Sequence, residues 1–383
     1  MADVYLDYNA SAPVRPEAQR AIAEALLHAH GNPSSTHAFG AAARAALARA
    51  RKQVADCLGA APDCVVFTSG ATEANNTVLR QVTRGAPLPD VHLVTCATEH
   101  PAVLEEARAL ASEGCQVTIL PVERDGRLDL ERFAAALTPR TRLASVMWAN
   151  NETGVIQLIA ELARRAAAQG VPFHTDAVQA LGKLPLALAT LPVDYASFSA
   201  HKLGGPKGVG ALYVRAGAEL APLLRGGSQE RGRRPGTENV PGIAGFGAAC
   251  AVARAELEES QSRHAGLRAQ LWAGIHNALP DAVRNGAPEH TLAHTLNVSF
   301  PGASGEALVE ALDLEGIAVA TGAACHAGST EPSHVLSAMG LPAALGSCAI
   351  RFSLGPGIDA AAIARVVDVL PGVVARVRQA RAA

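Results

Sequence analysis

Between about residues 60 and 215, short apolar runs rich in β-branched residues alternate with segments whose apolar positions recur at helical spacing. That alternation predicts a mostly parallel sheet covered by helices. The candidate strands are "CVVFT", "VHLVTC", "QVTILP", "RLASVMWA", "VPFHT", "DYASFS" and "GALYVR". After "RRPGTENVPG", a stretch from about Ile243 to Leu279 carries Ala, Leu, Glu and Arg at helical spacing and predicts a long connecting helix. A smaller α/β unit follows, with strands near "TLNVSF", "IAVAT" and "CAIRFSL" and a last helix from about Asp359. The expected class is α/β, with a large domain over 15–258 and a small domain built from 259–383 together with 1–14.

The composition narrows the class of partner. A chain of 383 residues, 49% hydrophobic with a formal charge of -2, can bury two cores and offers no electrostatic reason for a nucleic-acid or membrane partner. The start "MADVYLDYNA" has neither the basic nor the apolar part of a signal peptide. No apolar run reaches the roughly 18 residues of a membrane helix, so a soluble cytoplasmic protein is expected. The cysteines at 57, 64, 96, 115, 250, 325 and 348 are scattered without a C-x-x-C pair, which argues against a disulfide framework or structural zinc.

In open α/β sheets the ligand lies beyond the carboxyl ends of the strands. After "VVF" comes "TSGATEANN", a small-residue turn entering a helix, which offers backbone N–H groups and the Thr72 hydroxyl to a phosphate. The later strands are followed by Glu99-His100, by Asn150-Asn151-Glu152, by Asp176, and by His201-Lys202. Each group alone is more often a cap or a satisfied loop residue. Together they suit pyridoxal phosphate, whose aldehyde is held by a lysine and whose ring nitrogen is held by a carboxylate. The chain has only four lysines, Lys52, Lys183, Lys202 and Lys207. Lysine, unlike arginine, can lose its proton and attack a carbonyl, so Lys202 is the candidate nucleophile and Asp176 the ring partner. His100 could stack on the ring, and Gln179 could donate to its hydroxyl.

The second half of the site is expected from the smaller unit. Cys325 lies in "TGAACHAGST", a Gly/Ala/Ser/Thr-rich segment expected to be a mobile loop that can carry a thiol into a site; an incidental loop cysteine is equally compatible with the spacing. Arg351, alone among apolar neighbours in "CAIRFSLG", needs an anionic partner, either a substrate carboxylate or a structural ion pair. Cys348 is expected to pack.

The segments "YLDYNASAPV", "GNPSSTHAFG", "FTSGATEANN", "TEHPAVL", "VMWANNETGV", "FHTDAVQALGK", "HKLGGPKGVGALYVR", "LLRGGSQERGRRPGTEN", "TEPSHVL" and "IRFSLG" together resemble the NifS-type cysteine desulfurases across essentially the whole chain. The resemblance implies a PLP-dependent transferase of fold type I, with a seven-stranded, mostly parallel sheet in the large domain. It implies a homodimer that takes sulfur from L-cysteine, releases L-alanine and holds the sulfur as a persulfide for an acceptor such as an iron–sulfur scaffold protein. By position, Lys202 matches the lysine that bonds the cofactor, Asp176 the ring-nitrogen partner, Gln179 the ring-hydroxyl donor, and His100 the stacking residue and acid/base. Ala71, Thr72, Ser199 and His201 match phosphate contacts, and Thr237 matches the phosphate contact made across the dimer. Asn151 matches a residue at both cofactor and substrate carboxylate, Arg351 the carboxylate clamp, and Cys325 the persulfide cysteine. No resident metal is implied, although Cys325 could ligate a transient iron–sulfur cluster. Ala323 and His326 replace the serine and threonine usual in the family's cysteine loop, and Gly-Ala-Ala-Cys-His is similar to the loop of selenocysteine lyases. A lyase of that kind and a class V aminotransferase are therefore the alternatives.

Overall fold

A computed structural model describes residues 4–322 and 333–382; Cys325 and His326 lie outside the described residues. The chain opens with a two-residue strand, β1 (Val4–Tyr5), and then builds a seven-stranded sheet from β2 (Val65–Thr68), β3 (His92–Cys96), β4 (Gln116–Leu120), β5 (Thr141–Ser145), β6 (Phe173–Asp176), β7 (Tyr195–Ser199) and β8 (Gly210–Val214). The spatial order is β2-β8-β7-β6-β5-β3-β4. Neighbours from β4 through β7 run parallel, whereas β8 is antiparallel to both β7 and β2. Each of the seven apolar runs supplies one strand.

Strands β2, β3, β6, β7 and β8 are buried at every position. Unbroken burial is what a sheet covered by helices on both faces requires, and it explains why these strands read as apolar runs rather than as alternation. Phe67, Val94, Phe173 and Phe198 belong to the core on one face. Val66, Leu93, Leu143 and Leu212 belong to the core on the other.

Residues beyond the sheet form a further core around β9 (Val283–Asn285), β10 (Thr295–Ser299), β11 (Ile317–Ala318) and β12 (Ala349–Ser353). Strands β12, β10 and β9 make a three-stranded antiparallel sheet. The run "IAVAT" does not extend it: Ile317 and Ala318 pair in parallel with Val4 and Tyr5 of β1, and a single bridge joins Ala320 to Arg351. Val4 and Leu6 thereby join a core with Leu271, Phe300 and Phe352.

The expected long helix is two helices, Val240–Ala255 and Leu257–Ala278, bent by 71° at Glu256. The physical reason is a change of core. Ile243, Phe246 and Cys250 belong to the core on one face of the seven-stranded sheet, whereas Leu267, Leu271 and Ile275 pack into the smaller unit. A straight helix could not present a buried face to both. The Glu256 carboxylate at the bend pairs with Arg15 at 2.7 Å.

Candidate active site

The strand register brings most of the expected residues to one cavity of about 580 Å³. Asp176 is the last residue of β6, and the turn Ala200–Lys202 follows β7 directly. The helix Ala71–Leu79 starts just after β2, so Ala71 and Thr72 line the same cavity from its first turn. This turn packs closely on β8: a Cβ at Gly210 would come 2.7 Å from the Gly70 Cα. The approach therefore requires glycine at position 210. His100, Asn151, Gln179, Ser199, His201 and Arg351 complete the wall.

Asp176 is buried, and its two carboxylate oxygens accept from the Asn75 side-chain amide at 2.7 Å and from the Val178 backbone N–H at 3.1 Å. Asn75 was not expected. It stands inside the helix Ala71–Leu79 and is fully buried, with an Oδ1 that has no hydrogen-bond partner. Glu99, also fully buried, lies behind the site; its Oε1 accepts from Met147 N–H at 2.6 Å and from the Cys96 thiol. Burial first, then the Asp176 charge, push the Glu99 carboxyl up to about 8, so it is protonated at neutral pH.

His100 caps the helix Pro101–Ser112, with Nδ1 accepting from the Ala102 N–H at 3.1 Å. Burial lowers its pKa against the opposing pull of Asp176, with Lys202 and His334 lowering it further. A neutral imidazole whose Nδ1 accepts carries its proton on Nε2. In this state His100 offers a hydrogen-bond donor, Nε2–H, rather than a positive charge. His201 is lowered to about 4 by burial and by the nearby lysines Lys202, Lys207 and Lys183, and its Nδ1 bonds Ser11 Oγ at 3.3 Å.

Lys202 Nζ donates to the backbone carbonyls of Asn9 and Ala10, at 2.8 Å each. These two residues belong to the segment that leads from β1 into the helix Pro16–His28. The Asn9 carbonyl also accepts from Gln179 Nε2 at 3.0 Å, and Gln179 Oε1 accepts from Lys183. The Asn9 side chain donates to Asn151 O (3.0 Å) and Thr295 Oγ1 (2.9 Å) and accepts from His294 Nε2 (2.8 Å). Residues of the N-terminal segment thus carry the ammonium of Lys202, a role that no side-chain motif announces.

Of the two expected alternatives for Arg351, the structure shows the ion pair. Its Nη2 pairs with Asp7 Oδ1 at 2.6 Å and its Nη1 donates to Asn151 O at 3.0 Å, whereas its Nε, buried beside the cavity, has no partner. Cys348 is buried and its thiol donates to Leu345 O, as expected for a packing residue. Thr237 is exposed and lies outside this chain's cavity. The described flanks of the Cys325 segment meet at Glu152: the Ser333 hydroxyl donates to its Oε2, and a Cβ at Gly322 would collide with the same carboxylate. Glu152 is buried, and burial is the main cause that raises it to about 7.

The sheet order, the lysine turn after β7 and the carboxylate ending β6 define a transferase-like α/β protein with a polar cavity at the sheet edge, and the chain belongs to the class-V aminotransferase family, whose model matches residues 4–366. Within that family its relatives are cysteine desulfurases. It is 47% identical over 383 residues to a cysteine desulfurase of Cereibacter sphaeroides, covering 99% of this chain and 97% of the relative. It is 45% identical over 379 residues to the cysteine desulfurase NifS of Azotobacter vinelandii, covering 99% and 94%. Among solved structures, a NifS-like protein superposes with a TM-score of 0.90 at 36% identity, over 98% of this chain and 100% of that one.

Proposed function

We propose that this protein is a cytoplasmic, homodimeric cysteine desulfurase that uses pyridoxal phosphate, converts L-cysteine to L-alanine and passes the sulfur to an acceptor protein such as an iron–sulfur scaffold. The observation that carries the reading is the convergence of Lys202, Asp176 and Arg351 on one cavity. The donor set fits the cofactor. Asp176 would hold the ring nitrogen, Asn75 Oδ1 is a buried acceptor still lacking a donor, and the first turn of the helix Ala71–Leu79 would receive the phosphate with Thr72, Ser199 and His201. When bound, pyridoxal phosphate supplies an aldehyde that bonds an amino group and a ring that accepts electron density from the substrate Cα.

The chain's own residues do the rest. Arg351, steadied by Asp7 and Asn151, offers Nε to the substrate carboxylate. Lys202 Nζ, once it has shed its own proton, takes the proton from Cα; the paired carbonyls of Asn9 and Ala10 hold it until then. The Cys325 thiolate attacks the substrate sulfur: the S–S bond forms as the Cβ–S bond breaks, and the electron pair stays on the substrate carbon, which is protonated to give alanine. Lys202, which gained a proton at the Cα step, is the acid that returns it, and His100 lends a hydrogen bond from Nε2.

The test is L-cysteine turnover with dithiothreitol, counting sulfide and alanine for the wild type, Lys202→Ala and Cys325→Ala. Equal sulfide and alanine from the wild type, both lost in either variant, is the expected result. Undiminished alanine from Cys325→Ala would remove that cysteine from the reaction. Weak release from cysteine with fast selenide release from selenocysteine would make the protein a selenocysteine lyase.

A further inference from the structure

On the other side of Lys202 lies a second cavity, of about 300 Å³, between the large sheet's core and the smaller unit. Its apolar wall includes Val14, Leu203, Ala253, Leu257 and Leu354; its polar lining includes Lys183, His264 and His294. The volume sits at the lower end of the roughly 300–1,000 Å³ typical of small-molecule sites.

Lys183 is the anomaly in this cavity. An ammonium has three N–H donors, and the hydrogen bond found for Lys183 goes to one neutral acceptor, Gln179 Oε1. The charged groups that act on it are Lys202 and Arg351, both cations; together with burial they hold it well below the usual lysine range. His294 cannot compensate. Both amide protons of Asn9 are given to Asn151 O and Thr295 Oγ1, so His294 Nε2 must be the donor to Asn9 Oδ1, and this imidazole is kept neutral by burial and by Lys183. Of the other cations on the lining, Arg15 is paired with Glu256 and Lys202 donates to the Asn9 and Ala10 carbonyls. Half-buried among cations, the Lys183 ammonium is disfavoured until an anion arrives, and the single charge it then takes up matches a monoanion, because a dianion would leave charge uncompensated.

We infer that this cavity is a second ligand site, one that takes a small aliphatic carboxylate, with the anion seated on Lys183 and the hydrocarbon part against the Leu203, Leu257 and Leu354 wall. The site is linked to the first cavity by a short chain of bonds. Lys183 donates to Gln179, Gln179 donates to the Asn9 carbonyl, and Lys202 donates to that same carbonyl. A carboxylate that draws the Lys183 ammonium toward itself loosens Gln179 and with it the Lys202 cradle. The binding goes beyond the desulfurase reading and stands without it; only the consequence for Lys202 rests on that reading.

The probe is butyrate, titrated calorimetrically into the holoenzyme of the wild type, Lys183→Met, Ser260→Leu and Arg351→Lys, each first shown to be folded by circular dichroism. Ser260 lines the second cavity and not the first, so its leucine variant fills the space while leaving the proposed catalytic groups in place. The expected result is one butyrate per chain in the wild type, about tenfold or more weaker binding in Lys183→Met and in Ser260→Leu, and unchanged binding in Arg351→Lys. Binding that survives the first two substitutions and is lost in Arg351→Lys would put the carboxylate in the first cavity and overturn the inference, as would no binding to the folded wild type. Failure of sulfur release from L-cysteine would defeat the desulfurase reading and leave the butyrate result standing.

Discussion

The edge of the seven-stranded sheet and the N-terminal segment that crosses it contribute to the same cavity by different means. The sheet edge delivers side chains, and Asp176 and Lys202 stand there because β6 and β7 end there. The N-terminal segment delivers main chain: the Asn9 and Ala10 carbonyls hold Lys202, and the Asn9 side chain ties that point to Asn151, Thr295 and His294. Reactive groups are thus supplied by one region and their placement by another, and the second kind of contribution leaves little trace in residue identity.

Four substitutions test how far this division holds. Asp176→Asn, which keeps the shape and removes the charge at the sheet edge, is expected to lower kcat by about 10²- to 10³-fold in steady-state sulfide release, in line with the loss of an oriented electrostatic group. Asn9→Ala should cost about 2–4 kcal/mol in denaturant unfolding of the holoenzyme, because it leaves the Asn151 carbonyl, Thr295 and His294 short of a buried partner. It should also lower kcat more than it raises KM. A variant with normal kcat would show that the cradle is structural only.

The third substitution concerns Glu99, buried behind the edge. Its folded-state pKa, about 8, lies above the ordinary 4.5, so its stabilising contribution is complete below about pH 4.5 and is lost as pH rises through about 8. Glu99→Gln cannot ionise. Relative to wild type it should gain stability between pH 5 and 8, by on the order of 1 kcal/mol per pH unit. Parallel stability curves for the two proteins would mean that Glu99 is not held protonated. The smallest effect is expected at the surface. Lys52→Ala removes an exposed pair with Asp56 whose 2.7 Å distance equals that of the Asn75–Asp176 bond, yet it should change stability by less than about 0.5 kcal/mol.

The parts of the fold legible in the sequence are those written by burial. Strands such as "VPFHT" and "DYASFS" are covered on both faces, so their apolar runs mark them, and the polar residues that follow fall on one edge by register. Asn75 escaped because an asparagine inside a nine-residue helix is ordinary by composition, and only the packing of that helix against β6 makes it a partner of Asp176. The Asn9 cradle escaped because its acceptors are carbonyls, which every residue has. The bend at Glu256 escaped because the helical spacing continues through it, while the change of core that causes it is a tertiary fact. Arg351 was read as needing an anion, and Asp7, 344 residues away in the chain, is a partner that spacing cannot reveal.

The distance between Asp7 and Arg351 also orders events in time. Residues 4 to 9 are synthesised long before β11 and β12, yet β1 pairs with β11, and the Asn9 N–H is held by Ser353 at 2.9 Å. A nascent chain can complete the large sheet while these early residues are still without their strand partner. The lysine cradle is then assembled only after synthesis has passed β11, so a ribosome-bound fragment ending before β11 should lack a functional seat for its reactive amine.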